Sequence, residues 1–209
     1  MSKVWLTRVF SLSGILAPPT IIIVIIMAGL LTPGYNQLTD TISSLSDQSS
    51  KTPQLLTIGF VVYGVLMIGF SYALSLNLRH GIRAYVAWFM LTLYGICMVL
   101  AGVFQNSPGG SNAVLNTEGI FHNAVIITSC LSMLLGMWMF AGSVYKRPSW
   151  FGFTWFTIVA SFMGLILSII FFVQSYVPLA GLLQRFFYCV ILLWIEVVSI
   201  WLFRLSFKL

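Results

Sequence analysis

Residues 10–31 read FSLSGILAPPTIIIVIIMAGLL, an apolar run without a single charged side chain. A helix needs about 20 such residues to cross the roughly 30 Å hydrocarbon core of a bilayer. Five further runs of similar length follow, so the sequence predicts an all-α membrane protein: a six-transmembrane-helix bundle formed by one integral membrane domain over residues 1–209. The predicted spans cover residues 10–31, 55–78, 84–104, 119–145, 152–174 and 184–205.

The composition also supports an integral membrane protein. Hydrophobic residues make up 59% of the chain and charged residues only 7%, whereas about 25% of an average soluble domain is charged. The mean hydropathy is +1.01. A soluble domain of 209 residues could not bury so much apolar surface, which excludes the soluble globular classes.

The basic residues predict the orientation. Of the 10 Lys and Arg residues, all but Lys51 and Arg185 fall on one side of the predicted spans. Short loops rich in Lys and Arg stay in the cytoplasm, so both termini are expected to be cytoplasmic, in the inner membrane. The net charge of +6 then reflects topology and anionic headgroups and gives no reason to expect a nucleic-acid partner. The residues on the basic side are Lys3, Arg8, Arg79, Arg83, Lys146, Arg147, Arg204 and Lys208.

Two long polar loops, residues 32–54 and 105–118, lie on the opposite, outer side. Loops of that length are usually functional or disordered. Within the first loop, Thr39–Asp47 places Ile42 and Leu45 on one side and polar residues on the other. This pattern predicts a short helix in the interface, or a turn that dips back toward the bundle.

The outer side also carries a group of ionisable residues. Glu118 and His122 are four residues apart and share a helix face. Each has a structural explanation, because Glu118 could complement a helix dipole and His122 could bond a loop carbonyl. Together with Asp40, Asp47 and Arg185, however, they predict an outward-facing polar site that binds a ligand.

Glu196 lies midway through the sixth span, and no basic residue lies near the middle of another span to neutralise it. An ionisable residue at that depth is expensive to bury and is by default a candidate functional residue. We expect Glu196 to face the bundle interior in its protonated form, with either a structural hydrogen bond or a role toward a ligand or proton. At about 100° per residue, one face of this helix collects Arg185, Tyr188, Cys189, Leu192, Glu196 and Ser199.

Other features of the spans have mainly structural explanations. Pro18 and Pro19 should kink the first span, although a broken helix that lines a site is the alternative. Small residues at four-residue spacing predict close helix packing. The three cysteines lie within spans and have no metal-type spacing, so they are expected to behave as small apolar residues.

The supply of reactive residues excludes several chemistries. A zinc site needs three or four His, Cys or carboxylate ligands, and the outer side offers one His and no Cys, so neither a metal nor another cofactor is predicted. A Gly-rich phosphate loop and a Gly-x-Ser-x-Gly elbow are also missing from the sequence. Catalysis, if present, would be acid–base chemistry by candidates Asp40, Glu118, His122 and Glu196.

The outer-loop residues PGY (33–35) and DTISSL (40–45) resemble the pattern of domain-of-unknown-function family 998 and, more distantly, the Frag1/DRAM/Sfk1 membrane proteins. Family members often carry an acid before the proline of the second outer loop, where this chain has Ser107 before Pro108. The resemblance implies a multi-pass prokaryotic membrane protein without settled biochemistry. It also extends to Gly102-Val103-Phe104, His122, Gln184-Arg185 and Trp194.

Three hypotheses about function follow from the sequence. The bundle could bind or move a lipid or hydrophobic small molecule at the outer polar site, which the polar and intramembrane residues favour. The same residues could instead perform acid–base catalysis on a lipid or isoprenoid substrate. In the third hypothesis the protein has a structural or assembly role and its polar residues only stabilise loops.

Overall fold

The computed structural model describes residues 2–47, 50, 52–78, 81–107, 116–173 and 178–207. It contains six helices that are long and apolar enough to cross a membrane, as the sequence predicts. They are α1 (Lys3–Leu31), α2 (Pro53–Asn77), α3 (Ile82–Val103), α4 (Thr117–Val144), α5 (Phe151–Val173) and α6 (Ala180–Leu205). Three residues of the predicted topology signal, Arg79, Lys51 and Lys208, lie outside the described residues, as does His80.

The six helices form a closed ring. Each helix packs against its neighbours in the chain, and α6 closes the ring by packing against α1. Neighbouring helices are antiparallel: Gly59 of α2 lies beside Val24 of α1, whereas Gly69, further along α2, lies beside Ser13, earlier in α1. The described parts of the two long loops, residues 32–47 and 104–107, therefore lie at one end of the bundle. We call this the loop end, and we call the opposite end, near Lys3 and Arg204, the termini end.

Most helix boundaries lie within two residues of the predicted spans, but α1 and α6 begin earlier. α1 starts at Lys3 because the Ser2 hydroxyl accepts a hydrogen bond from the Trp5 amide at 3.3 Å, which caps the helix. α1 then continues as one helix through Pro18 and Pro19. These prolines lack an amide hydrogen, so the helix carbonyls four residues before them lose their usual donors.

Arginines at the termini end satisfy the carbonyls where three helices end. Arg147 Nη1 donates to Asn77 O at 2.6 Å at the end of α2. Arg83 Nη1 donates to Gly142 O at 3.3 Å in the last turn of α4, and Arg8 Nη2 donates to the Ser206 carbonyl at 3.3 Å after α6. The final carbonyls of a helix have no partner within the helix and attract positive charge. The basic residues that predict topology therefore also cap helices.

Small residues allow the close helix contacts that the sequence predicts. A Cβ on Gly64 of α2 would lie 2.5 Å from the Gly95 carbonyl of α3, and a Cβ on Gly95 would lie 2.8 Å from the Gly64 carbonyl. In the ring centre, the fully buried Trp194 packs edge-on against Phe70 and Phe140. The small residues of α5 are buried as well: Ala160, Gly164 and Ser168.

The first loop contains a short 3-10 helix, Ile42–Ser46, that packs against α1, α2 and α6. Ile42 and Leu45 are almost completely buried. Of the two predicted alternatives, the segment forms a short helix, as the first expects, and its apolar residues are buried against the bundle, as the second expects. An isolated bridge between Asp47 and Asn106 joins the first loop to the second.

Candidate functional site

The first loop is clamped onto the start of α6 by backbone hydrogen bonds. Leu182 N donates to Leu38 O at 3.0 Å, and Gly181 N donates to Thr39 O at 3.3 Å. The first amides of a helix have no partner within the helix, so the loop carbonyls cap α6. This explains why α6 begins four residues before the predicted span. In return, the Gln184 side-chain oxygen accepts a hydrogen bond from the buried Ile42 amide.

Gly181 permits this close approach. A Cβ at this position would lie 2.8 Å from Gln37 O and would also clash with Asp40 O. On the other side of the loop, the Tyr35 ring lies against Gly29 of α1. The loop segment 35–42 thus bridges the end of α1 and the start of α6.

Arg185 holds the same loop through its guanidinium group. Nη1 donates to Asp40 O at 3.0 Å and to Gly181 O at 2.9 Å, and Nη2 donates to the Tyr35 hydroxyl. Burial raises the pKa of the Tyr35 phenol, and the nearby Arg185 charge only partly opposes this. The phenol therefore keeps its proton near neutral pH and donates it to Thr41 O at 3.1 Å. Arg185 contacts the backbone of Asp40 rather than its carboxylate.

Below Arg185, an open groove of about 530 Å³ runs between α1 and α6. Its size is within the range of about 300–1,000 Å³ that is usual for small-molecule sites. Its walls are apolar apart from its two ends, where Arg185 and Glu196 lie about 16 Å apart along the α6 axis. The α1 wall consists of Pro18, Pro19, Ile22, Ile25 and Ile26; the α6 wall of Arg185, Tyr188, Cys189, Leu192, Leu193 and Glu196; and the roof of Gln37 and Ile42.

Glu196 is the unusual residue of this groove. Its Oε2 atom is buried, and no described residue makes a hydrogen bond to it. An unpaired polar group in an apolar environment is costly, and a charged one more so. The helix face predicted from the sequence does line the groove from Arg185 to Glu196. Ser199, one turn further, is fully buried and packs near Gly14 of α1.

A second, much smaller cavity of about 30 Å³ lies behind the groove, among α3, α4, α5 and α6. Tyr188 lines both spaces and separates them. The small cavity is bordered by the polar groups of Ser129, Ser168 and Gln184. The rest of its lining is mainly apolar, so although the space is large enough for a water molecule, few polar partners surround it.

The residues at the start of α4 organise the second loop. Glu118 Oε1 accepts a hydrogen bond from Gln105 N at 2.9 Å. His122 is almost fully buried, and its Nδ1 lies 2.7 Å from Phe104 O. Because a carbonyl can only accept, Nδ1 carries the hydrogen. These contacts join the end of α3 to the start of α4, which is the structural explanation that the sequence left open for His122.

Ser107, which precedes Pro108 in the second loop, also has a structural role. It is fully buried, its hydroxyl donates to Asn116 Oδ1 at 3.0 Å, and it accepts from Asn116 N at 3.1 Å. Asn116 Oδ1 in turn caps α4 by accepting from Gly119 N at 2.8 Å. Pro108 itself lies outside the described residues.

The predicted outer-site residues therefore have separate hydrogen-bond partners. Arg185 and the Asp40 backbone meet in the first loop, whereas Glu118 and His122 bond to the backbone of the second. Asp47 is buried where the two loops join. A common site for all of these residues stays a prediction. No group of three metal-binding side chains occurs in the part of the chain that the structure describes.

Sequence reasoning missed several groove residues. The predicted site residues do not include the isoleucines of the α1 wall, Gln37 or Leu193, and no role is predicted for Cys189. Cys189 is exposed, whereas Cys97 and Cys130 are buried. On α1, the sequence signal for the groove is the double proline: Pro18 and Pro19 do line it, although α1 is one continuous helix and not the broken helix of that alternative.

Comparison with known proteins places the chain in a family. Residues 15–201 match a family model described as "Protein of unknown function (DUF998)". No curated protein and no solved structure matches the chain.

Proposed function

The chain belongs to the DUF998 family of proteins of unknown function, and we propose that it binds or moves a lipid or hydrophobic small molecule in the groove between α1 and α6. The observation that carries this proposal is the buried, unpartnered Glu196 carboxyl oxygen at one end of an apolar groove. If the residues that line the groove served packing alone, we would expect α1 and α6 to pack against each other without a groove between them.

The shape and the exposure of the groove support a ligand from the membrane. It opens sideways between two helices, and its outer wall residues Ile22, Ile26 and Leu193 are about half exposed. These apolar surfaces face lipid in a bilayer. An apolar chain can therefore enter laterally, while a polar end stays near Arg185 and Gln37 at the roof.

The acid–base enzyme hypothesis has weaker support. Glu118 Oε1 accepts from the Gln105 amide, and His122 Nδ1 bonds the Phe104 carbonyl. A catalytic pair would instead place a carboxylate and an imidazole within hydrogen-bond reach of one substrate atom. The hydrogen bonds of Glu118 and His122 instead hold the second loop in place.

A second lateral groove provides a matched control. It lies between α4 and α5, has about the same volume at about 500 Å³, and is lined by uncharged side chains such as Trp138, Ile158 and Phe162. A ligand held only by general lipid contact would occupy both grooves equally. A ligand that binds to Arg185 or Glu196 would favour the α1–α6 groove.

The test compares two groove-filling variants, Leu193→Trp and Ile158→Trp. Native mass spectrometry would measure the lipids and small molecules that remain bound after purification. We expect Leu193→Trp to lower the retained ligand several-fold, because the indole occupies the α1–α6 groove, and Ile158→Trp to leave it unchanged. Equal ligand content in the wild type and both variants would contradict the proposal.

A further inference from the structure

We infer that the ligand of the α1–α6 groove carries an anionic oxygen headgroup, a phosphate or a carboxylate, which Arg185 binds at the roof. This inference rests on the proposed function and specifies the ligand class. It begins with the position of Arg185, which three acceptors fix: Asp40 O, Gly181 O and the Tyr35 hydroxyl. A guanidinium group that is already held in place loses little further freedom when it binds a ligand.

Two N–H groups of the Arg185 guanidinium remain available to a ligand. A guanidinium group carries five N–H groups. Nη1 makes two of the observed bonds and Nη2 makes one, which leaves Nε–H and one Nη2–H without an acceptor among the described residues. Nε and Nη2 lie on one edge of the planar group, and two such donors match two oxygens of a phosphate or carboxylate.

The charge of Arg185 also lacks a hydrogen-bonded carboxylate among the described residues. The nearest acid in the sequence of the loop, Asp40, directs its carboxylate to its own loop. Asp40 Oδ2 accepts from Asn36 N at 2.8 Å, and Oδ1 accepts from the Thr39 hydroxyl at 2.8 Å. An anionic headgroup would therefore complement Arg185 without displacing an existing ion pair.

The rest of the groove fits the chain of such an amphiphile. About 16 Å of α6 separates Arg185 from Glu196, and the wall between them is formed by Leu192, Leu193, Cys189 and the isoleucines of α1. A cationic headgroup at the roof would be repelled by Arg185. The structure thus favours an anionic head at the roof and an apolar chain that extends toward Glu196.

The test uses hexadecyl probes that carry a photoreactive diazirine in the chain and differ only in the headgroup. The probes are an alkyl phosphate, an alkanol and an alkyl trimethylammonium, each added to the protein in phosphatidylcholine nanodiscs. Mass spectrometry of peptides would map the cross-links. We expect the alkyl phosphate to label α1 and α6 at a concentration about tenfold below that of the alkanol. Labelling of the α4–α5 groove should be the same for both probes.

Variants test the contribution of Arg185. Arg185→Lys keeps the charge but loses the two-donor edge, so the tenfold preference for the alkyl phosphate should fall to about threefold or less. Arg83→Lys, at the opposite end of the bundle and beside the α4–α5 groove, should keep the full preference. Because the headgroup series on the unmodified protein is a test by itself, the inference stays falsifiable if Arg185→Lys fails to fold.

The outcomes separate this inference from the proposed function. Equal groove labelling by the phosphate and the alkanol, or a preference for the ammonium probe, would overturn the headgroup inference and leave a lipid-binding groove. Labelling of α1 and α6 no stronger than that of α4 and α5 would overturn both. Loss of alkyl phosphate labelling at an equal concentration of inorganic phosphate would show that the apolar chain adds no affinity; it would assign the site to free phosphate and contradict an amphiphile.

Discussion

Two acids lie in the membrane-spanning helices, and their surroundings differ. Glu118, in the first turn of α4, accepts a hydrogen bond from the Gln105 amide. Glu196, midway along α6, has a buried oxygen without a partner in the described part of the chain. A residue with satisfied bonds contributes to stability, whereas an unpartnered polar group in an apolar wall opposes it. Residues of the second kind are retained for function more readily than for folding.

Replacing each acid by leucine should therefore change stability in opposite directions. Glu118→Leu leaves the Gln105 amide without its acceptor and should destabilise the protein by about 1–3 kcal/mol. Glu196→Leu removes the unpaired carboxyl and should raise Tm, and Glu196→Gln should leave folding intact. Thermal unfolding of delipidated protein in one detergent would measure both, so that bound ligand does not contribute. A fall in Tm for Glu196→Leu as large as that for Glu118→Leu would show that Glu196 has a stabilising partner.

At the scale of elements, the first loop and the start of α6 form one unit. The loop carbonyls cap α6, and Gln184 and Arg185 of α6 bind the loop in return. The loop also forms the roof of the groove through Gln37 and Ile42. Stability of this contact therefore controls the shape of the proposed binding site.

Gly181→Ala should loosen the loop. The added methyl group would clash with Asp40 O and lie 2.8 Å from Gln37 O, and this outweighs the higher helix propensity of alanine, about 1 kcal/mol. We expect amide hydrogen exchange in residues 35–42 to become about tenfold faster, the effect of about 1.4 kcal/mol on local opening. Gly152→Ala is the control, because a Cβ there meets no atom within 4 Å. Unchanged exchange in Gly181→Ala would mean that the loop does not depend on this contact.

The elements themselves could be predicted from the sequence more fully than the site. Apolar runs locate all six helices, because lipid requires long apolar segments with satisfied backbone bonds. They miss the starts of α1 and α6, which depend on the Ser2 cap and on carbonyls of a distant loop. Helical periodicity places Arg185 and Glu196 on one face, but only tertiary packing brings Pro18 and Pro19 of α1 opposite that face. Hydrogen-bond partners such as Tyr35 for Arg185 follow from the folded loop.

At the scale of the whole molecule, the two ends of the ring use their basic residues differently. At the termini end, Arg8, Arg83 and Arg147 cap helix carbonyls. At the loop end, Arg185 lies at the roof of the groove. The excess of Lys and Arg at the termini end predicts that this end is cytoplasmic. The groove would then open into the outer leaflet. The orientation of the protein therefore determines whether lipids enter the groove from the outer or the cytoplasmic leaflet.

Cysteine labelling in cells would test this orientation. Gln37→Cys and Ser149→Cys place single thiols at exposed positions of the loop end and the termini end. Both would be made with Cys189→Ala, since Cys97 and Cys130 are buried. A membrane-impermeant maleimide should label Gln37→Cys in intact spheroplasts and Ser149→Cys only after lysis. Because Gln37 lines the groove, its labelling also reports on which side the roof lies. The reverse pattern would place the groove in the cytoplasmic leaflet and contradict the predicted topology.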